Sequence, residues 1–246
     1  FEFRAVGAAQ STSEPAMAMN LVVAAGVEAM LDKIAKHSNK AGDATAAALA
    51  AIKEVVKETR RVRFEGNNYA GEWHKEAAKR GLPNLKDTPE ALETLVDKQI
   101  VALFERFQIL SKAELHALYE IKLEAYVKTK EIELKLLKDL AATCVEPAVT
   151  RHMGTLGAAA AGVASADGKG RVLRSRLLAC DAILEDIEAG IASVEEALVK
   201  SEAAADLPKR ARHLADKGVA ALSGLRAACD KAEETVEHSL WPFPKY

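Results

Sequence analysis

From residue 15 onward the apolar positions recur at steps of three and four, the signature of helices that turn one face to a core. Caps and breakers divide this pattern into helices predicted at 15–37, 44–62, 70–80, 89–107, 112–152, 169–201 and 207–239. Ser13 caps the first, with Pro15 in its opening turn. Gly81-Leu82-Pro83 ends the third, Thr88 caps the fourth with Pro89 as its first helical residue, and Ser111-Lys112-Ala113-Glu114 is a capping box. Pro147 removes a backbone donor inside the fifth helix and is expected to bend it.

The strongest periodicity lies at the end of the chain. Leu173, Leu177, Cys180, Leu184, Ile187, Ile191, Val194 and Leu198 form one heptad seam, and Leu207, Ala211, Leu214, Gly218, Ala221, Leu225 and Ala228 form a second. The short link between them, Glu202 to Asp206, makes the two helices antiparallel neighbours. This predicts an arm-like coiled-coil hairpin over 169–239, roughly 45 Å long. The Gly- and Ala-rich segment Gly154 to Gly168 reads as a flexible connection into it.

Only the first four residues break the helical pattern. Phe1-Glu2-Phe3-Arg4 alternates with period two and predicts a strand with both rings on one face and Glu2 and Arg4 together on the other. A carboxylate beside a guanidinium suits a metal and an anion, while the plain alternative is an edge strand with a solvated face. No partner strand is legible in the chain. A lone strand implies further protein, so the start reads as a truncation.

The 246 residues suffice for one large or two ordinary domains. A net charge of −2 gives no long-range pull toward nucleic acid or an anionic membrane, and the arginine clusters at 60–63 and 171–176 have the spacing of solvated helix faces. The apolar run Thr155 to Ala166 is too short for a bilayer. Cys144, Cys180 and Cys229 are odd in number and widely spaced, which fits reduced thiols and a cytoplasmic protein, an organelle remaining open. The six histidines are isolated and form no ligand pair. Asn67, Asn68, Tyr69, Trp73 and His74 form the densest polar-aromatic cluster, read as a capped turn with an anchoring Trp in preference to a recognition loop.

The first strand with the helix that follows, FEFRAVGAAQSTSEPAMAMNLVVAAGVEAM, resembles the end of the catalytic domain of glutamine synthetases. Residues 64–85, FEGNNYAGEWHKEAAKRGLPNL, with Asp87–Leu92, with Leu110–Thr129 and with the final SLWPFPKY, resemble the C-terminal extension of the type III branch. The resemblance implies a mainly α fold: residues 1–40 as the truncated end of an α+β catalytic domain, and 41–246 as a helical C-terminal domain containing the hairpin. It implies that Glu2 is a ligand to Mg2+ or Mn2+ and that Arg4 contacts glutamate and the transferred phosphoryl group. Phosphoryl transfer from ATP to a carboxylate gathers negative charge in a small volume, and hard cations with a permanently charged planar donor answer that need. The implied reaction makes glutamine from glutamate, ammonia and ATP through γ-glutamyl phosphate. The implied partner is a second copy, in a homo-oligomer of two stacked rings.

The other carboxylates and ATP contacts of that family have no counterpart here, so the chain by itself is expected to be inactive. A stand-alone helical interaction module is the alternative. A membrane-surface bundle would need strongly basic amphipathic faces, which the mixed charges do not supply.

Overall fold

The computed structural model describes residues 11–41, 43–67 and 71–245. The strand expected at 1–4 lies outside the described residues, among which every regular element is helical. The helices are α1 (Ser13–Ala41), α2 (Ala44–Glu58), α3 (Gly71–Lys79), α4 (Thr88–Leu92), α5 (Lys98–Arg106), α6 (Lys112–Leu140), α7 (Glu146–Ser165), α8 (Arg171–Glu202), α9 (Leu207–His213) and α10 (Val219–Thr235). No described helix is long and apolar enough to cross a membrane. The helices divide into two compact units. One comprises the described residues up to Lys86 together with Val96–Leu115, and the other Asp87–Leu95 together with the described residues from His116 on.

In the first unit, α1 and α2 pair along their lengths. Asp43 caps α2 by accepting from the Ala46 amide at 2.8 Å. Lys33 on α1 donates to Glu54 at 2.6 Å and Glu58 at 2.8 Å on α2, and His37 meets Glu54 at 2.9 Å. The bonds from Lys33 and then His37 hold the Glu54 carboxyl down at about 2. A small core joins Leu21 of α1 to Val101 and Phe104 of α5 and to Leu115.

The helix expected over 89–107 is two helices. Asp87, not Thr88, is the N-cap of α4, accepting from the Glu90 amide at 2.8 Å, and Asp97 caps α5 through the Gln99 amide at 2.8 Å. Each aspartate takes an extended backbone and offers a carboxylate to amides that lack helical partners, so it outcompetes helix continuation. The capping box is formed as expected, with the Ser111 amide donating to Glu114 at 2.7 Å and the Glu114 amide to Ser111 Oγ at 3.3 Å.

The second unit holds the larger core. Leu123, Val127 and Leu134 of α6, Val149 and Leu156 of α7, Cys180, Ile187 and Val194 of α8, and Leu225 and Cys229 of α10 form one buried cluster. α8 packs against α10, and α7 packs against α8 as well. The 169–239 segment is therefore one wall of a bundle and not a free arm. The segment expected to be a flexible connection is helical to Ser165, because alanine favours helix and Leu156 is held in the core. It closes at Asp167 and Gly168, whose amides return to Ala164 and Val163.

Pro147 is met by a widened π-turn over Ala141–Val145, in which the Glu146 amide reaches back to Ala141. A regular turn there would set the proline ring against the carbonyl four residues earlier, and the extra residue relieves it. A second π-turn, Leu214–Gly218, separates α9 from α10.

Small residues set how closely these helices approach. A Cβ at Gly190 would meet the Leu225 backbone Cα at 3.0 Å, whereas one at Gly154 would meet nothing within 4 Å. Gly190→Val is expected to destabilise the fold by about 1–3 kcal/mol through overpacking. Gly154→Ala is expected to stabilise it by about 0.5–1 kcal/mol through helix propensity. Denaturant midpoints for the two variants check both signs; a neutral Gly190→Val would contradict the close approach.

Candidate functional site

Glu2 and Arg4, the residues expected to carry metal and substrate, lie outside the described residues, so the structure places neither. Among the described residues no group of three or more His, Cys, Asp or Glu side chains is arranged to hold a metal ion. The polar-aromatic cluster is partly described: Asn68 and Tyr69 fall outside, while Trp73 packs its ring on Phe64 at a centroid distance of 4.3 Å.

Arg80 completes this cluster, and sequence reasoning did not single it out. Its guanidinium sits 5.9 Å from the Phe64 ring centre and 5.8 Å from that of Trp73. It donates to Glu76 at 2.7 Å and to the Arg63 carbonyl at 2.8 Å. The Arg80 bond in turn lowers the Glu76 carboxyl. Gly81, at φ 67, ends the helix so that the Leu82 amide returns to Ala77. The only legible signal was the Glu76–Arg80 spacing of four on one helix face. With its donors committed to backbone and Glu76, Arg80 fastens a turn and stacks two rings, which is the anchoring reading and not that of a recognition loop.

Two arginines of α9 perform a similar task in the second unit. Arg210 donates through Nε to Glu131 of α6 at 2.8 Å, and Arg212 through Nη1 to Asp87 Oδ2 at 2.9 Å. Asp87 thus caps α4 with one oxygen and binds Arg212 with the other. Burial beside this pair pushes the Tyr126 hydroxyl up, with the Asp87 charge adding to the shift. The partners stand 79 and 125 residues apart, too far for any local pattern to announce them.

The C-terminal tail docks as its rings imply. Trp241 and Phe243 meet edge to face at 6.0 Å and pack on the core. Lys245 caps α10 by donating to the carbonyls of Glu233 and Val236. A cleft of about 410 Å3 lies between the tail, α10 and the first π-turn, with Leu137, Val145, Cys229 and Trp241 in its walls. Burial, with Asp230 beside it, raises the Cys229 thiol, and burial raises that of Cys180. Both behave as small apolar residues and not as nucleophiles.

Glu146, immediately after that π-turn, is the interior group with a charge problem. Its Oε1 is buried without a partner. Burial first, then the Glu188 carboxylate within hydrogen-bonding reach, push its carboxyl above the ordinary range. These groups form packing and titrating features; they do not assemble a nucleophile, base and electrophile around a common point.

Residues 47–164 match the family described as the glutamine synthetase C-terminal domain. The whole chain is 29% identical to the type-3 glutamine synthetase of Dictyostelium discoideum, covering 34% of that protein. It is 27% identical along its whole length to a glutamine synthetase of Bacteroides fragilis, covering 35% of it. A 93-residue stretch is 44% identical to a glutamine synthetase of Butyrivibrio fibrisolvens, using 36% of this chain and 13% of that one. The chain thus spans about a third of the length of the curated relatives it matches end to end.

Two substitutions test the site description. Arg80→Ala should cost about 1–2 kcal/mol and expose Trp73, read as a red-shifted emission in a Trp241→Phe background. Because Glu146 holds its proton more tightly folded than unfolded, it supports folding below its ordinary value of 4.5 and opposes it as pH rises through the raised folded value. Glu146→Gln should therefore raise the melting temperature at pH 7–8 and change little near pH 4; the reverse dependence would refute the buried-carboxyl assignment. Residues 47–164 match the glutamine synthetase C-terminal domain, in a chain similar along its whole length to the type-3 glutamine synthetase of Dictyostelium discoideum and to a glutamine synthetase of Bacteroides fragilis.

Proposed function

We propose that this chain is the C-terminal third of a glutamine synthetase that joins ammonia to glutamate at the expense of ATP, through γ-glutamyl phosphate. The observation that carries the reading is the similarity to the Dictyostelium type-3 enzyme, which extends over the entire chain. In this reading Glu2 is a ligand to Mg2+ or Mn2+, and Arg4 holds the glutamate carboxylate and the transferred phosphoryl group. The metal supplies charge neutralisation at the phosphates, and Arg4 supplies a planar donor that keeps its charge throughout. The 246 residues alone are inactive, and the complete protein acts in the cytoplasm as a homo-oligomer of two stacked rings whose helical domain serves assembly.

The first unit supports the presence of further protein. α1 leaves Val23, Val27 and Leu31 exposed at 57%, 55% and 60%, and their spacing of four sets them along one face. Such a stripe on a helix is what a covering domain buries. The second reading, a stand-alone interaction module, is favoured by the closed core of the second unit.

Activity of the longer polypeptide separates these readings. Glu2→Ala is expected to lower metal-dependent glutamine formation at least 100-fold, about 2.7 kcal/mol in the transition state, with the oligomer mass unchanged. Turnover like that of the wild type would sink the site assignment. Deletion of the last helices is not a clean probe of assembly, because α8 and α10 carry much of the second core.

A further inference from the structure

In the second unit α6 turns Leu123, Val127 and Leu134 into the core. On another face it leaves Ile121, Ile132 and Leu136 exposed at 64%, 65% and 54%, with Ala125 exposed between them. These positions repeat at eleven residues, 121 to 132 and 125 to 136. Eleven residues are three helical turns plus about 20°, so the four side chains line up along roughly 22 Å of one face. Scattered apolar residues on a surface are ordinary, but a stripe held in register over four turns is not.

The stripe also reads the same in both directions. Ile121 and Leu136, and likewise Ala125 and Ile132, stand at equal distances from the midpoint between Lys128 and Thr129. A second α6 laid antiparallel about that midpoint would set Ile121 against Leu136 of the second copy, and the small Ala125 against Ile132 of the second copy. Four border charges obey the same two-fold, while Lys128, beside the midpoint, stands next to Lys128 of the second copy with its ammonium drawn to Glu124. Glu124 and Lys135 lie on one border of the stripe, and Lys122 and Glu133 on the other. Antiparallel pairing brings like borders together, so Glu124 meets Lys135 of the second copy and Lys122 meets Glu133 of the second copy. A parallel pair in register would instead set Ala125 against Ala125 and Ile132 against Ile132 of the second copy, small against small and large against large.

In the single copy Glu124 pairs with Lys128 at 2.7 Å, Glu133 with Lys130 at 2.7 Å, and Lys135 with Glu202 at 3.6 Å. These are surface ion pairs, weakly held and readily exchanged for contacts across an interface.

We propose that this stripe of α6 is a self-complementary interface that takes α6 of a second copy of the chain in antiparallel register. The inference rests on the assembly reading above and names the surface that reading requires. The occupant is a second copy and not an unrelated helix because the apolar spacing and the pairs Glu124/Lys135 and Lys122/Glu133 satisfy the two-fold.

Sedimentation equilibrium of the 246-residue chain, with thermal unfolding followed in parallel, tests it. The chain is expected to self-associate reversibly from its 26.4 kDa monomer. Ile132→Lys, and the milder Ile132→Ser, should raise the dissociation constant at least tenfold, with the unfolding midpoint unchanged at concentrations where both chains are monomeric. Glu124→Lys should weaken association, and adding Lys135→Glu should restore it. Association unchanged by either Ile132 variant would overturn this surface and leave assembly through another. A wild-type chain monomeric throughout would overturn both readings. A double charge swap as weak as the single one would overturn the antiparallel register.

Discussion

A Cβ placed on Gly190 would stand 3.0 Å from the backbone of Leu225, and that closeness sets the geometry of the second unit. With a larger residue there α8 and α10 would separate, and Ile187, Val194, Leu225 and Ala228 would no longer share one core with α6. Glycine at 218 serves the same end, since a Cβ there would stand 3.3 Å from Leu134 of α6. Tight approach through small residues lets large ones interdigitate beside them, and interiors of this density tolerate little change of volume. Cys180 and Cys229 are absorbed into that packing as small apolar groups, their thiols raised by burial.

The path of α6 into α7 follows from a second constraint. Proline inside a regular helix costs about 3 kcal/mol, through a lost bond and a clash. The π-turn at Ala141–Val145 lets the chain continue past Pro147 as helix, while Ala141, Val145, Ala148 and Val149 stay buried. The same turn brings Glu146 to the edge of the core opposite Glu188, where a carboxylate is poorly accommodated. The titrating feature of the interior is thus a by-product of how the proline is housed.

Arginine and lysine then fasten what apolar packing leaves loose. Arg80 closes the Phe64–Trp73 turn, Arg210 and Arg212 hold α9 to α6 and α4, and Lys245 ties the tail to the end of α10. Most of these bonds reach backbone carbonyls or half-buried carboxylates, where a charged donor contributes more than at an open surface. These contacts fasten helices to one another within a chain whose residues 47–164 match the glutamine synthetase C-terminal domain.

The local rules of the chain were legible without a structure: the helical period from residue 15, the capping box at Ser111, the stop at Gly81, and the inward faces of α8 and α10. The motifs at 64–85 and 110–129 also carried the resemblance to glutamine synthetases, and both lie within the residues that match that C-terminal domain. The break at Asp97 was missed because a single capping aspartate looks like any surface aspartate until its carboxylate is seen on the Gln99 amide. The helical course of Gly154–Ser165 was missed because glycine and alanine describe flexibility locally, whereas burial of Leu156 decides the matter. Sequence by itself determined which residues turn together and which family they resemble, since both depend on near neighbours. Only tertiary structure decided that the hairpin is a bundle wall, which arginines meet which carboxylates, and which stripe of α6 stays outside, since these depend on residues brought together from far along the chain.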